Sequence, residues 1–314
     1  MPKDHYVART YLRQFSLEGK EGFVSAVRKK NLECLKAIPI SSICYEKNGS
    51  DNHYFPDNPR VVEDYLKLYE PRWADCVQRV SQGTYSDETK SLMAGYLAYL
   101  RTCTPTAMRL GSEGYADFVK HIYDKLEEKE YSNPDSKYRD VIETIRKHGG
   151  TTIEVDKKYP TAMGIYNLIR IQNVIATSPW IVFKNETTMP FVTSDNPVCL
   201  QYHESGFADF YCPITPWLAI VIHPLMEHEN KGPDHIGSFK PEGVEQMNQL
   251  VVQSAEDLVI YNDLIDTKGL VKKYQDWRVE LRKIKIPSGN GHVIIHQQKP
   301  FKMGTCDSME LVNA

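Results

Sequence analysis

The sequence predicts an α+β protein in which an antiparallel sheet, formed by strands from both ends of the chain, packs against a helical insert. Three observations carry this. Apolar, β-branched runs lie early, as in GFVSAV, and return from Trp180 onward. Between them, at about 60–176, apolar residues recur at helical spacing. The strands of the second half follow one another too closely for parallel crossovers, so they pair as antiparallel neighbours.

Taken in order, Tyr11, Leu12 and Phe15 have helical spacing and carry an unusually apolar terminus, which must dock on the core. Gly22 to Val27 reads as a strand and Pro39 to Tyr45 as a second, followed by Glu46 and the turn KNGSDN. From Val61 the residues Val61, Tyr65, Leu68, Tyr69, Trp73, Val77 and Val80 share a helix face that Pro71 divides and Gly83 ends. Ser86 is an N-cap for a helix through Leu100. Helices are expected near Glu113 to Glu130, Asp135 to Lys147 and Tyr159 to Ala176, the last polar on several sides, as a cleft wall would be.

Strands follow at Trp180–Lys184, Met189–Val192, Val198–Tyr202, Phe207–Tyr211 and Leu218–His223. Then come a helix from Pro241, a strand at Leu258–Tyr261, a helix near Leu264–Tyr274, and a hairpin of Trp277–Ile286 with His292–His296. The expectation is a single domain over 1–314, with the insert at about 60–176, the β-rich part at about 179–300 and a frayed tail at about 303–314.

A hydrophobic content of 41% with 25% charged residues is that of a folded protein, and a net charge of −3 gives no overall attraction to nucleic acid. No stretch has the length of a membrane span and the start has no apolar leader. Seven cysteines, widely spaced and odd in number, read as reduced thiols in a cytoplasmic protein. Phosphate-binding loop, dinucleotide fingerprint, zinc-protease helix and nucleophile elbow are all missing.

What remains is FVTSDNPV. Thr193, Ser194, Asp195 and Asn196 stand between apolar runs, and a carboxylate held rigidly at a strand end suits acid–base or metal chemistry. The same residues before Pro197 also suit an Asx turn. Glu46 ends another strand; Arg101, near the end of its helix, is either a solvated charge favoured by the helix dipole or a buried partner for a carboxylate. His223, His228 and His235 cluster as a weak metal candidate, and His292 and His296 lie on one face of a strand.

The segments HYVARTYLRQF, CYEKNGSDNHYF, YLRTCTP, WIVFKN, FVTSDNPV, YCPITPWLAI and MNQLVVQSAEDLVIY, in this order, resemble the domain-of-unknown-function 4238 family. Ala8 departs from it, since the family usually has proline there. The resemblance implies a bacterial or fungal intracellular protein, and implies that His5, Tyr6, Glu46, Arg101, Ser194, Asp195, Asn196 and Asn248 belong together. No activity comes with the resemblance; the chemistry of these residues makes the expectation a hydrolase or nuclease-like effector. His5, Glu46 and Asp195 are its catalytic groups, and Tyr6, Arg101, Ser194, Asn196 and Asn248 bind an anionic ligand or nucleic acid, a divalent metal being a candidate cofactor. The alternatives are a ligand-binding or sensor module without turnover, and a structural ion-pair network.

Overall fold

The computed structural model describes residues 2–203, 207–224, 235–262, 266–288, 291–306 and 310–311. Strand β1 (Lys3–His5) leads into a single helical turn, α1 (Arg9–Leu12), continued as a 3-10 turn through Phe15. This terminus docks as expected: the Tyr11 hydroxyl donates to the Pro213 carbonyl at 2.6 Å and shares a 2.7 Å hydrogen bond with Thr193, while the Ala8 amide donates to the Tyr96 hydroxyl at 2.9 Å. Strands β2 (Phe23–Arg28) and β3 (Cys34–Pro39) pair antiparallel, and β4 (Tyr45–Lys47) returns to β1 with Asp4 opposite Glu46. The strand expected at Pro39–Tyr45 is instead a corner. Ile40–Ser42 form a 3-10 turn and Cys44 takes a φ of 52°, so the apolar side chains of this run are buried by a bend.

Pro71 splits α2 (Val61–Tyr69) from α3 (Trp73–Gln82), which Gly83 closes at a φ of 73°. Helix α4 (Asp87–Thr102) is capped by Ser86. Helix α5 (Pro105–Ser132) begins at Pro105 rather than at Glu113, because the Thr104 side chain caps it and Pro105 occupies the first helical position. Helix α6 (Arg139–Lys147) starts late, since the Asn133 and Ser136 side chains accept the amides of Asp135 and Tyr138 and hold a turn. Helix α7 (Tyr159–Thr177) packs closely on α4: a Cβ at Gly164 would stand 2.5 Å from the Thr102 carbonyl oxygen.

The second half carries β5 (Trp180–Lys184), β6 (Thr193–Ser194), β7 (Cys199–Tyr202), β8 (Ala208–Thr215), β9 (Leu218–Ile222) and β10 (His235–Ser238). After α8 (Pro241–Ser254) come β11 (Leu258–Tyr261), α9 (Thr267–Lys273), β12 (Trp277–Ser288), β13 (Gly291–Lys302) and β14 (Glu310–Leu311). The architecture is α+β. One sheet, ordered β3-β2-β11-β6, joins strands from both halves; another, β10-β5-β9-β8-β7, is antiparallel except at β10–β5; β12 and β13 form a long hairpin. The expected frayed tail touches the hairpin, Glu310 and Leu311 pairing with Ile284 and Lys285.

Met189–Val192, expected as a strand, has no ladder because side chains take its backbone groups. Asn185 donates to the Met189 carbonyl, Asn248 donates to the Pro190 carbonyl, and Asn248 accepts the Val192 amide. No helix among the described residues is long and apolar enough to cross a membrane.

Candidate functional site

The polar run at 193–196 enters the sheet as β6, beside β11, and is buried throughout. Asp195 spends both oxygens on backbone: one accepts the Glu256 amide at 2.9 Å, the other the amides of Asp257 and Leu258, both at 2.8 Å. Burial pushes its carboxyl up to about 6, against the pull of those three donors. Asn196 donates to the Ser254 carbonyl at 2.9 Å, and the Ser194 hydroxyl accepts the Asn196 amide at 3.1 Å. Asn248, on α8, clamps residues 190–192 as described above.

Lys29, only 3% exposed, completes this arrangement. Its ammonium donates to the carbonyls of Val252 (2.8 Å), Ala255 (3.0 Å) and Trp277, so it caps the end of α8 whose following amides Asp195 takes. Burial pulls its pKa down to about 8, opposed by the field of Asp195. Nearby, Arg109 makes a paired contact with Glu256 at 2.8 and 3.0 Å and donates to the Val279 carbonyl at 2.7 Å, tying α5 to β12. Sequence reasoning passed over Lys29 and Arg109, because a cation in a strand or amphipathic helix looks solvated until its carbonyl partners are placed.

His5 and Glu46 lie elsewhere, on the β1–β4 ribbon. No hydrogen bond among the described residues joins His5 to Asp195. The His5 ring faces Tyr45 at 5.8 Å, its Nε2 is buried without a hydrogen-bond partner among the described residues, and burial together with Arg9 lowers its pKa. Tyr6 is the link between the two regions: its amide donates to the Cys44 carbonyl at 3.0 Å, and its hydroxyl is raised by burial and by the fields of Cys44, Asp195 and Glu46. Asp4 anchors the ribbon through Arg60, at 2.7 Å, and the Ser50 amide.

Two open cavities of about 850 Å³ lie beside this framework. The first is enclosed by α5, α7 and the β12–β13 hairpin, with Leu110, Phe118, Met163, Ile171, Leu281 and Ile294 as apolar wall. Arg101, the last-turn arginine of α4, stands in that wall and also borders a small gap beside Asn196. Its guanidinium bonds the Gln298 side chain, and no carboxylate among the described residues pairs with it; burial lowers its pKa, yet an arginine stays charged. The second cavity is lined mostly by polar and charged residues, among them Glu46, Lys47, His53, Lys157 and Lys158. Arg101 and Glu46 thus open onto different cavities, and of the Ser194–Asn196 run it is Asn196 that borders the small gap.

A third cluster was not foreseen. His203, after β7, and His223, after β9, both meet Asp209 on β8, at 2.6 and 2.8 Å. The two histidines flank a hairpin whose register alone brings them together, so only His223 stood out in the sequence. His228 lies outside the described residues, and of His235 only the backbone is described.

Fold and cavities define an α+β protein whose central polar run is a buried tie between sheet and helices, with charged cavities around it. The chain belongs to the family described as "Protein of unknown function (DUF4238)", whose model matches residues 3–264. No curated protein and no solved structure matches the chain.

Proposed function

We propose that the protein binds a small anionic ligand with an apolar body, its acidic group on Arg101 and its body against the Leu110, Met163 and Ile171 wall. The observation that carries this reading is a guanidinium in the wall of a cavity of ligand size with no carboxylate partner among the described residues. A half-buried cation without a counter-ion is only partly hydrated, and a ligand anion would offset that loss through charge-assisted hydrogen bonds. Fluorescence titration with 1-anilinonaphthalene-8-sulfonate, an aryl sulfonate, tests it. Saturable binding that weakens about 10- to 100-fold in Arg101→Gln supports the reading, since a hydrogen bond to a charged group contributes about 1.5–3 kcal/mol. Equal binding by a variant of unchanged fold refutes it.

A hydrolase or nuclease acting on an anionic or nucleotide-containing substrate is the second reading. Glu46 favours it, as an exposed carboxylate with no cation partner among the described residues, set among lysines in the polar cavity. Cleavage of bis(p-nitrophenyl) phosphate or single-stranded nucleic acid, abolished in Glu46→Gln, would support it; no turnover with or without divalent metal would leave the binding module. Seven cysteines, none of them in a disulfide, fit action in the reducing cytoplasm.

A further inference from the structure

We propose that His203, Asp209 and His223 form a binding site for a single divalent transition-metal ion, Zn²⁺ or one of its first-row neighbours. The three side chains come from consecutive strands at one end of the sheet. Asp209 is opposite Gln201 on β7, and its neighbour Phe210 is opposite Ile222 on β9, so Asp209 has the residues just beyond both partner strands at its sides. Alternation puts residues 203, 209 and 223 on the same face. A nitrogen of each imidazole and one carboxylate oxygen lie within 4.8 Å of one another, and both imidazoles already converge on the same oxygen.

Three features separate this cluster from an ordinary surface ion pair. Asp209 has a side chain only 7% exposed, yet no lysine or arginine among the described residues pairs with it; among these residues its carboxylate is held by the two imidazoles. His223 is also mostly enclosed, and its Nε2 is buried without a hydrogen-bond partner among the described residues, so turning the ring over exchanges its two nitrogens without breaking a second bond there. His203, by contrast, is half exposed, which leaves an approach from solvent.

The donor set then selects the ion. Two imidazoles and one carboxylate, without a thiolate, suit Zn²⁺, Fe²⁺, Co²⁺ or Ni²⁺ better than Mg²⁺ or Ca²⁺, which require mostly oxygen ligands. Ligand atoms held about 2.0–2.2 Å from such an ion stand roughly 3–3.5 Å apart, so small side-chain rotations would open the present hydrogen-bonded cluster far enough. Three protein ligands leave at least one coordination position for water or a ligand.

The test is calorimetric titration of the tag-free full chain with ZnCl₂, in a Cys34→Ser background because Cys34 is an exposed thiol. Stoichiometric binding of one ion is expected. Because outer-shell changes alone cost about 10–100-fold in metal affinity, loss of a ligand in His203→Ala or Asp209→Asn should weaken binding by about 100-fold or more. His203 is exposed enough for its variant to fold normally, which circular dichroism would verify. Co²⁺ in place of Zn²⁺ should give visible d–d absorption that His203→Ala lacks. Absence of one-to-one binding by the parent protein, or equal affinity in a folded His203→Ala variant, would overturn the proposal and leave a purely hydrogen-bonded cluster.

Discussion

Replacing Asp195 by alanine should unfold the protein far more readily than any change in the cavities. The side chain is 3% exposed and accepts three amides, from Glu256, Asp257 and Leu258, at 2.8–2.9 Å. Truncation leaves those donors without an acceptor and removes the carboxylate that offsets the buried Lys29 ammonium. One stranded buried group costs about 1–3 kcal/mol, and a buried charge deprived of its partner about 3–5 kcal/mol. These costs overlap, so a loss of about 4 kcal/mol is expected for Asp195→Ala. Asp195→Asn should lose about 2 kcal/mol, because its NH₂ group must face at least one amide donor. Urea unfolding followed by circular dichroism and tryptophan fluorescence would measure both, read from the midpoint at constant slope. If Asp195→Ala unfolds within about 1 kcal/mol of the parent while ligand binding or turnover disappears, the carboxylate belongs to a working site and the structural account is wrong.

Other outcomes follow from the same geometry. Gly164→Ala should destabilise by about 1–3 kcal/mol in urea, because the new methyl would meet the Thr102 backbone and push α7 off α4. Asn248→Leu, similar in size but unable to serve the Val192 amide and Pro190 carbonyl, should cost about 2–4 kcal/mol. Ala8→Pro is accepted by the backbone at a φ of −62°, but it removes the amide that donates to Tyr96, so a small loss of about 1 kcal/mol is expected in thermal melts. Burial raises the Asp4 carboxyl, but Arg60 and the Ser50 amide outweigh it and hold the pKa below its ordinary value. Its stabilisation is therefore present above the unfolded pKa of 3.8 and lost as pH falls through the folded one; stability of Asp4→Asn should fall less steeply below pH 4.

The elements legible in the sequence are those whose local signals agree with their tertiary role. The Pro71 break, the Gly83 stop, the Ser86 cap and the β12–β13 hairpin follow from residue chemistry that neighbours do not alter. The run at Pro39–Tyr45 and the run at Met189–Val192 depart from the expected strands for one shared reason. Apolar, β-branched residues signal burial, and burial was reached through a corner in the first case and through asparagine side chains replacing a ladder in the second.

The residues expected to act together divide for a related reason. Polar side chains flanked by buried strand mark a place where backbone groups need partners as readily as a place where chemistry occurs. Asp195, Asn196 and Asn248 hold the α8–β11 junction, whereas Glu46 and Arg101 open onto separate cavities. The Asx-turn reading of 193–196 anticipated local bonds, but the partners of Asp195 come from a segment distant in sequence. Asp209 with its two histidines escaped notice because strand register, not spacing, brings them together.

Selectivity of the apolar cavity for anions is the property we propose Arg101 to confer. It is tested most directly by the ratio of affinities for 1-anilinonaphthalene-8-sulfonate and its uncharged analogue N-phenyl-1-naphthylamine, in the parent protein and in Arg101→Gln. The parent should prefer the sulfonate by about 10-fold or more, as a charge-assisted contact implies, and the variant should bind the two alike with its affinity for the neutral probe unchanged. A preference for the sulfonate that survives loss of the guanidinium would contradict the account.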